Sequence, residues 1–157
     1  MTFSKELLSD LARDPVAVLN RGYRAKERIA SRQKRIQDWR QIAESITANP
    51  ENASMGSGPS NKTERAVLSI ITLEEEITEE IAELAGYEVQ NSRILRQFVA
   101  DPNYRAVLEH RYLEYKTWEA IAVEMSYTFR WTQELHHRAL AVLREGAKAE
   151  LGGGKAR

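Results

Sequence analysis

The sequence predicts an all-α fold: a long antiparallel helical hairpin followed by a C-terminal three-helix helix-turn-helix domain. Three observations carry this expectation. Apolar residues recur at three- and four-residue spacing along two long segments that flank a Ser/Gly/Pro loop. The two segments carry opposite charge. Beyond Asp101-Pro102 the apolar pattern breaks into three short helices, each introduced by a capping residue.

Composition sets the limits. With 157 residues the chain makes one domain or two small ones, and 42% apolar content allows a modest core. The 23 basic residues balance the 23 acidic ones, so no overall charge draws the chain to nucleic acid, and any such role must rest on local charge. The absence of cysteine excludes disulfides and thiolate metal sites and accords with a reducing compartment. The opening residues lack the apolar run of a signal peptide, and nowhere do 18 apolar residues follow one another. A soluble, cytoplasmic protein without membrane partners is the expectation.

Residues 1–19 read as a short N-terminal helix. Leu7, Leu8 and Leu11 form its apolar stripe, it stops near Arg13, and Asp14-Pro15 caps and restarts the chain. Residues 20–99 read as the hairpin. Its first arm, continuous from Pro15 to about Ala48, has a heptad seam of Ile29, Ile36 and Ala43 with Trp39 and Ile46, interrupted by Arg32. Its remaining surface is basic, with Arg21, Arg24, Lys26, Arg28, Lys34, Arg35 and Arg40. Residues 49–61 form the loop, and Asn61 with Glu64 resembles a capping box. The second arm, from about 62 to 98, sets Val67, Ile70, Ile77, Ile81 and Leu84 on its apolar face and Glu64, Glu74, Glu75, Glu76, Glu79, Glu80 and Glu83 on its polar face. Opposite charges flank the seam and favour antiparallel pairing, and burial of Ile36, Trp39, Ile70 and Ile77 is expected to hold it. Residues 149–157 read as a flexible tail.

Residues 100–148 carry the helix-turn-helix expectation. A first helix bears Tyr104, Val107, Leu108 and Leu113, Thr117 caps a second, and Thr128 caps a third running to about Lys148. The two crossing helices need a small residue, a tight turn and an inward apolar side chain. Ala122, Ser126 and Tyr127 take those places, and Leu135 closes the core. Ser126 stands where glycine is usual, and Thr132 where a branched apolar residue is expected. The second motif helix enters the major groove by its N-terminus, so the candidate DNA-binding residues are Thr128, Phe129, Arg130, Trp131, Gln133, Glu134, His137 and Arg138. Arg130 suits guanine, Gln133 adenine and Glu134 cytosine. Arg105, Arg111, Lys116, Arg138 and Arg144 are candidates for phosphates. With seven basic and six acidic residues in 103–148, the motif by itself is expected to bind weakly.

The segment TWEAIAVEMSYTFRWTQELHHRALAVLR resembles the helix-turn-helix of sigma factor region 4. More broadly, YRAVLEHRYLEYKTWEAIAVEM, the Arg130-Trp131 pair, LHHRAL and the upstream charged hairpin resemble phage- and prophage-encoded regulators of the ArpU and RinA type, over most of residues 20–148. The resemblance implies a sigma-region-4-like domain acting on transcription of a phage or mobile element in a bacterial host. It implies double-stranded DNA and RNA polymerase as partners. It places Arg130 and Trp131 on the reading face and Leu135, Ala139 and Leu140 on the packing face. Glu134 makes this face less cationic than the resemblance leads one to expect. The surface around His110, Arg111 and Tyr112 and the acidic face from Glu74 to Glu83 are candidate polymerase contacts.

No catalytic residue, cofactor or metal is expected. Glu134 and His137 have the Glu-x-x-His spacing of di-iron bundles, but no second such motif accompanies them. No phosphate-binding glycine loop or nucleophile elbow is present. The alternative is a small terminase-like DNA-packaging protein, or another helical assembly protein. Mass in solution separates the two: a large ring accords with packaging, a monomer or homodimer with regulation.

Overall fold

The computed structural model describes residues 3–48 and 59–153, and every regular element among them is helical. Among the described residues seven helices follow one another: α1 (Lys5–Arg13), α2 (Pro15–Leu19), α3 (Arg21–Ala48), α4 (Pro59–Phe98), α5 (Pro102–Tyr112), α6 (Trp118–Met125) and α7 (Phe129–Gly153). Among the described residues no helix is long and apolar enough to cross a membrane. The chain divides into two units, residues 1–23 with 85–157, and residues 24–84. Both long helices therefore contribute to each unit. The segment boundaries expected at 99 and 100 fall within the first unit.

Local capping accounts for most element starts. The Ser4 side chain accepts a hydrogen bond from the Leu7 amide, that of Asp14 from Ala17, and that of Asp101 from Asn103 and Tyr104. Pro15 and Pro102 each occupy a first helical position, where the missing amide hydrogen costs nothing. The single arm expected from Pro15 to Ala48 is broken. Asn20 ends α2 with its amide on the Val16 carbonyl, and α3 begins at Arg21. The capping box expected at Asn61 is not made either, because α4 already starts at Pro59 and Asn61 lies inside it. Of the expected loop, residues 49–58 lie outside the described residues, as do 154–157 of the expected tail. Residues 149–153 of that tail belong to α7.

In the first unit, the stripe of α1 is core. Leu7, Leu8 and Leu11 join Val18 and Leu19 of α2, Ile94, Leu95 and Val99, Val107, Leu108 and Tyr112 of α5, Ile121 of α6, and Leu135, Ala139, Leu140, Leu143 and Ala147 of α7. The N-terminal helix is thus built into the same core as the C-terminal helices. Buried Asn91 of α4 ties the level of α2 by donating from Nδ2 to the Leu19 carbonyl at 3.0 Å. Gly146 brings α7 close to Phe98, and a Cβ at that position would lie 2.9 Å from the ring.

In the second unit, α3 and α4 run antiparallel. Arg28 pairs with Glu80 and Glu83, Arg32 with Glu76 and Glu80, and Arg40 with Glu74, so partners fall along α4 as they rise along α3. The seam on α3 is Ala25, Ile29, Arg32, Ile36, Trp39, Ala43 and Ile46, and on α4 it is Ala66, Ile70, Leu73, Ile77, Glu80 and Leu84. This corrects the expected seam at three points. Leu73 and Ala66 are buried, as is Ile36, whereas Trp39, Ile70 and Ile77 are only half-buried, and Val67 and Ile81 are exposed. The physical reason is that two helices cover each other on one side only, leaving the flanks of every seam residue open to water.

Arg32, which interrupts the apolar spacing, sits in the seam opposite the acid that also interrupts it. Its Nε lies 2.9 Å from Glu76 and its Nη1 3.2 Å from Glu80, which Arg28 also holds at 2.9 Å. The Arg28 hydrogen bond keeps the Glu80 carboxyl below its ordinary range. Such seam pairs fix register more than they add stability, because both charges give up hydration to meet. Replacing Arg32 and Glu80 together by leucine is therefore expected to leave the thermal midpoint equal or raise it. A clear fall would show that the pair contributes net stability.

Candidate nucleic-acid interface

Helices α6 and α7 are joined by a turn of three residues. The Thr117 hydroxyl accepts from the Ala120 amide and starts α6, whose Ile121 and Ala122 are buried. A larger side chain at Ala122 would hold the helices apart. α6 ends at Ser126 in the left-handed conformation, φ 57° and ψ 39°, while the Tyr127 amide reaches back to the Ala122 carbonyl at 2.9 Å. Glycine adopts this conformation without steric penalty, so Ser126 is mildly strained, by about 1 kcal/mol. Tyr127 turns inward and packs against the core, and the Thr128 hydroxyl accepts from the Trp131 amide to start α7. Thr132 is fully buried, and its hydroxyl donates to the Thr128 carbonyl at 2.9 Å. Its β-branched body thus serves where an apolar residue was expected, with the polar atom satisfied locally.

From Thr128 onward α7 has two faces. Thr132, Leu135, Ala139, Leu140, Leu143 and Ala147 are buried. Thr128, Phe129, Arg130, Trp131, Glu134, His137 and Arg138 are exposed, and Gln133 is half-buried. All eight residues singled out from the sequence therefore lie at the N-terminal end of one helix, at or beyond the edge of its packed face. Trp131 is 38% exposed, bracketed by the Arg138 guanidinium 5.1 Å above its ring and by the edge of Tyr127. Arg138 also meets Glu134 at 3.1 Å. Arg130 has no ion pair among the described residues.

The cations expected at phosphates are mostly engaged within the fold. Arg105 donates to the Val99 carbonyl at 3.0 Å, and Arg111 to the Lys116 carbonyl at 2.9 Å, with its guanidinium 4.6 Å above Trp118. Lys116 lies between Glu114, at 2.6 Å, and Glu124, with His110 Nδ1 at 3.3 Å. The carboxylates draw the Lys116 pKa up, and the lysine, followed by His110, holds that of Glu114 down. His110, Glu114 and Glu124 are ligand-type side chains converging within 4.8 Å, and the cation at their centre is this ammonium.

The candidate polymerase surface around Tyr112 needs correction. Tyr112 is 2% exposed, and His110 and Arg111 are half-buried, because this side of α5 is covered by α6 and α7. The sequence also gave no hint of what Tyr112 does. Its hydroxyl lies 2.8 Å from His136 Nε2 of α7, and the imidazole stands edge-on to Trp118 of α6 at 4.5 Å. Three helices of the motif meet at this imidazole. Burial, with the charges of Arg111 and His137, pushes the His136 pKa down to about 4, and burial pushes the Tyr112 hydroxyl up to about 12. The residues concerned are 24 apart in the chain, so no local pattern reveals them.

Comparison with protein-family models, with curated proteins and with solved structures gives no match.

Proposed function

We propose that the protein is a sequence-specific DNA-binding regulator of transcription, in which α6 and α7 act as a helix-turn-helix beside α5. The observation that supports this best is the pair of faces on α7. A tight turn delivers a rigidly packed helix whose N-terminal residues, Arg130 foremost, are free of the core. That is the arrangement that lets a helix reach base edges in the major groove. In this reading Arg130 donates two hydrogen bonds to a guanine, and Gln133 and Glu134 read neighbouring bases. Trp131, Phe129 and His137 lie against sugar and methyl groups, while Thr128 and Arg138 contact the backbone.

Affinity from this surface alone is low, because Arg105, Arg111 and Lys116 already have partners, Arg138 must leave Glu134 to meet a phosphate, and few other cations remain. The sigma-region-4 resemblance supplies the complement: a second contact on RNA polymerase makes the DNA contact effectively intramolecular. The acidic face from Glu74 to Glu83 is the surface assigned to it, and Glu75 and Glu79 are its exposed carboxylates outside the ion pairs with α3.

Selection from a pool of random-sequence duplexes, with and without bacterial RNA polymerase, tests the reading. Enrichment of one motif, weakened by salt, is expected. On the enriched duplex Arg130→Ala should lower affinity by roughly 1–3 kcal/mol and relax preference at one base pair. Equal affinity and unchanged preference would remove Arg130 as a reader. If no duplex is enriched under either condition, the DNA reading fails.

A further inference from the structure

α4 carries two apolar rows in the unit of residues 24–84. The inner row meets α3. One step round the helix lies a second, made of Val67, Ile71, Thr78 and Ile81 with Glu74 at its middle, and all five residues are exposed. Val67 is 47%, Ile71 45% and Ile81 53% exposed. The spacing of this outer row is again four, three, four, three, which is that of a coiled-coil seam. A helix with an apolar arc this wide belongs to a bundle of more than two helices. The half-buried state of Ile70 and Ile77, which lie next to this row on α4, accords with a layer still to be added.

We infer that the outer row of α4 is a self-association surface, on which a second copy of the chain packs its own α4 antiparallel about a two-fold axis near Glu74. Two arguments select a second copy over another partner. First, the ends of the row match when it is reversed. Val67 and Ile81 lie equally far from Glu74, so a reversed copy sets Val67 against Ile81 and Ile71 beside Thr78. An isologous contact needs this self-complementarity, and an unrelated partner does not. Second, the charge at the axis closes on itself. Two Glu74 carboxylates facing each other would repel, but each already has Arg40 of its own chain at 3.8 Å. The pairing therefore places two acids and two guanidinium groups together, with no net charge left at the centre. On the other side of α4, Trp39, Leu68 and Leu73 line a groove together with Arg35, Glu64, Arg65 and Glu76, so apolar surface there is interleaved with four charges. The four helices of two such units then cover the flank of α4 that carries the outer row. This inference stands independently of DNA binding.

The full chain tests it. Sedimentation equilibrium at tens of micromolar should give twice the 17.9 kDa chain mass. Ile71→Glu combined with Ile81→Glu should return the mass to one chain while leaving helix content unchanged, since both side chains are exposed. The sequence has no cysteine, so a single introduced thiol reports its own neighbour. Under mild oxidation Glu74→Cys should cross-link to itself. Val67→Cys should cross-link when mixed with Ile81→Cys, and Glu79→Cys, on the other side of α4, should not. A monomeric wild type, a larger ring, a dimer that survives the double glutamate variant, or equal cross-linking through Glu79→Cys would each overturn the inference.

Discussion

Replacing Leu11 by alanine is expected to destabilise the unit that holds the candidate DNA-reading helix by about 2–5 kcal/mol, although Leu11 lies more than a hundred residues from it in the chain. Leu11 is fully buried, and it packs in one cluster with residues of α7 such as Leu143 and Ala147. Truncation removes its apolar contacts and leaves a cavity that the surrounding helices close only in part. Because typical domains are stable by about 5–15 kcal/mol, this is a large fraction of the total. Ser9→Ala, on the exposed side of α1, is the control and should be nearly silent. Urea unfolding followed by circular dichroism checks both. A Leu11→Ala variant that unfolds with the wild-type midpoint would show that α1 does not contribute to the core. Loss of DNA binding in Leu11→Ala, with Ser9→Ala unaffected, would then follow from the same packing.

That role of α1 illustrates which parts of the fold are legible in sequence. Local chemistry is legible: Asp14, Asp101, Thr117 and Thr128 have the residue type and position of caps, and all four accept the backbone hydrogen bonds that define a cap. So is the small residue at Ala122, which the helix crossing demands. What a nine-residue amphipathic helix packs against is not legible, because its stripe of leucines fits any apolar partner. The seam of α4 misleads for a different reason. Two apolar rows lie side by side on that helix, and the inner one is disguised by alanine at 66 and glutamate at 80. Reading apolar size alone selects Val67 and Ile81, which are exposed. Arg32 and Glu80 become intelligible only as a pair, and 48 residues separate them.

The candidate interface divides in the same way. Periodicity on α7 is a local property, so the split between Arg130, Glu134 and His137 on one face and Leu135, Ala139 and Leu143 on the other could be placed in advance. The fate of the cations could not. A guanidinium on a helix is equally able to meet a phosphate or a carbonyl of its own chain, and the fold decides. Arg105 and Arg111 are committed to carbonyls across loop ends, and this reduces the charge left for a nucleic acid.

Lowering the pH from 7 to about 4 is expected to remove roughly 3 kcal/mol of stability from this unit through His136 alone. Folding depresses the imidazole from its ordinary 6.5 to about 4. Between those values the unfolded chain takes up a proton that the folded chain refuses. Stability is therefore full above about 6.5, declines as pH falls through the interval, and reaches its full loss below about 4. Glu114 in this unit and Glu80 in the other, whose carboxyls folding holds below their ordinary 4.5, add their own losses only at and below that value. The stretch from 6.5 down to 4.5 thus belongs chiefly to the histidine. Urea unfolding of wild type at half-unit steps across it should show a steady decline, and His136→Gln, which keeps a polar partner for the Tyr112 hydroxyl, should flatten that decline. A decline of equal slope in His136→Gln would locate the titration elsewhere. The functional consequence follows from where the imidazole sits. It hydrogen-bonds to Tyr112 of α5 and stands against Trp118 of α6 from its own place on α7, so charging it loosens the three helices from one another at a single point. Because the folded imidazole stays neutral until the pH nears 4, DNA binding through α7 should hold in the wild type down to about that value and then fall, and His136→Gln should carry it lower.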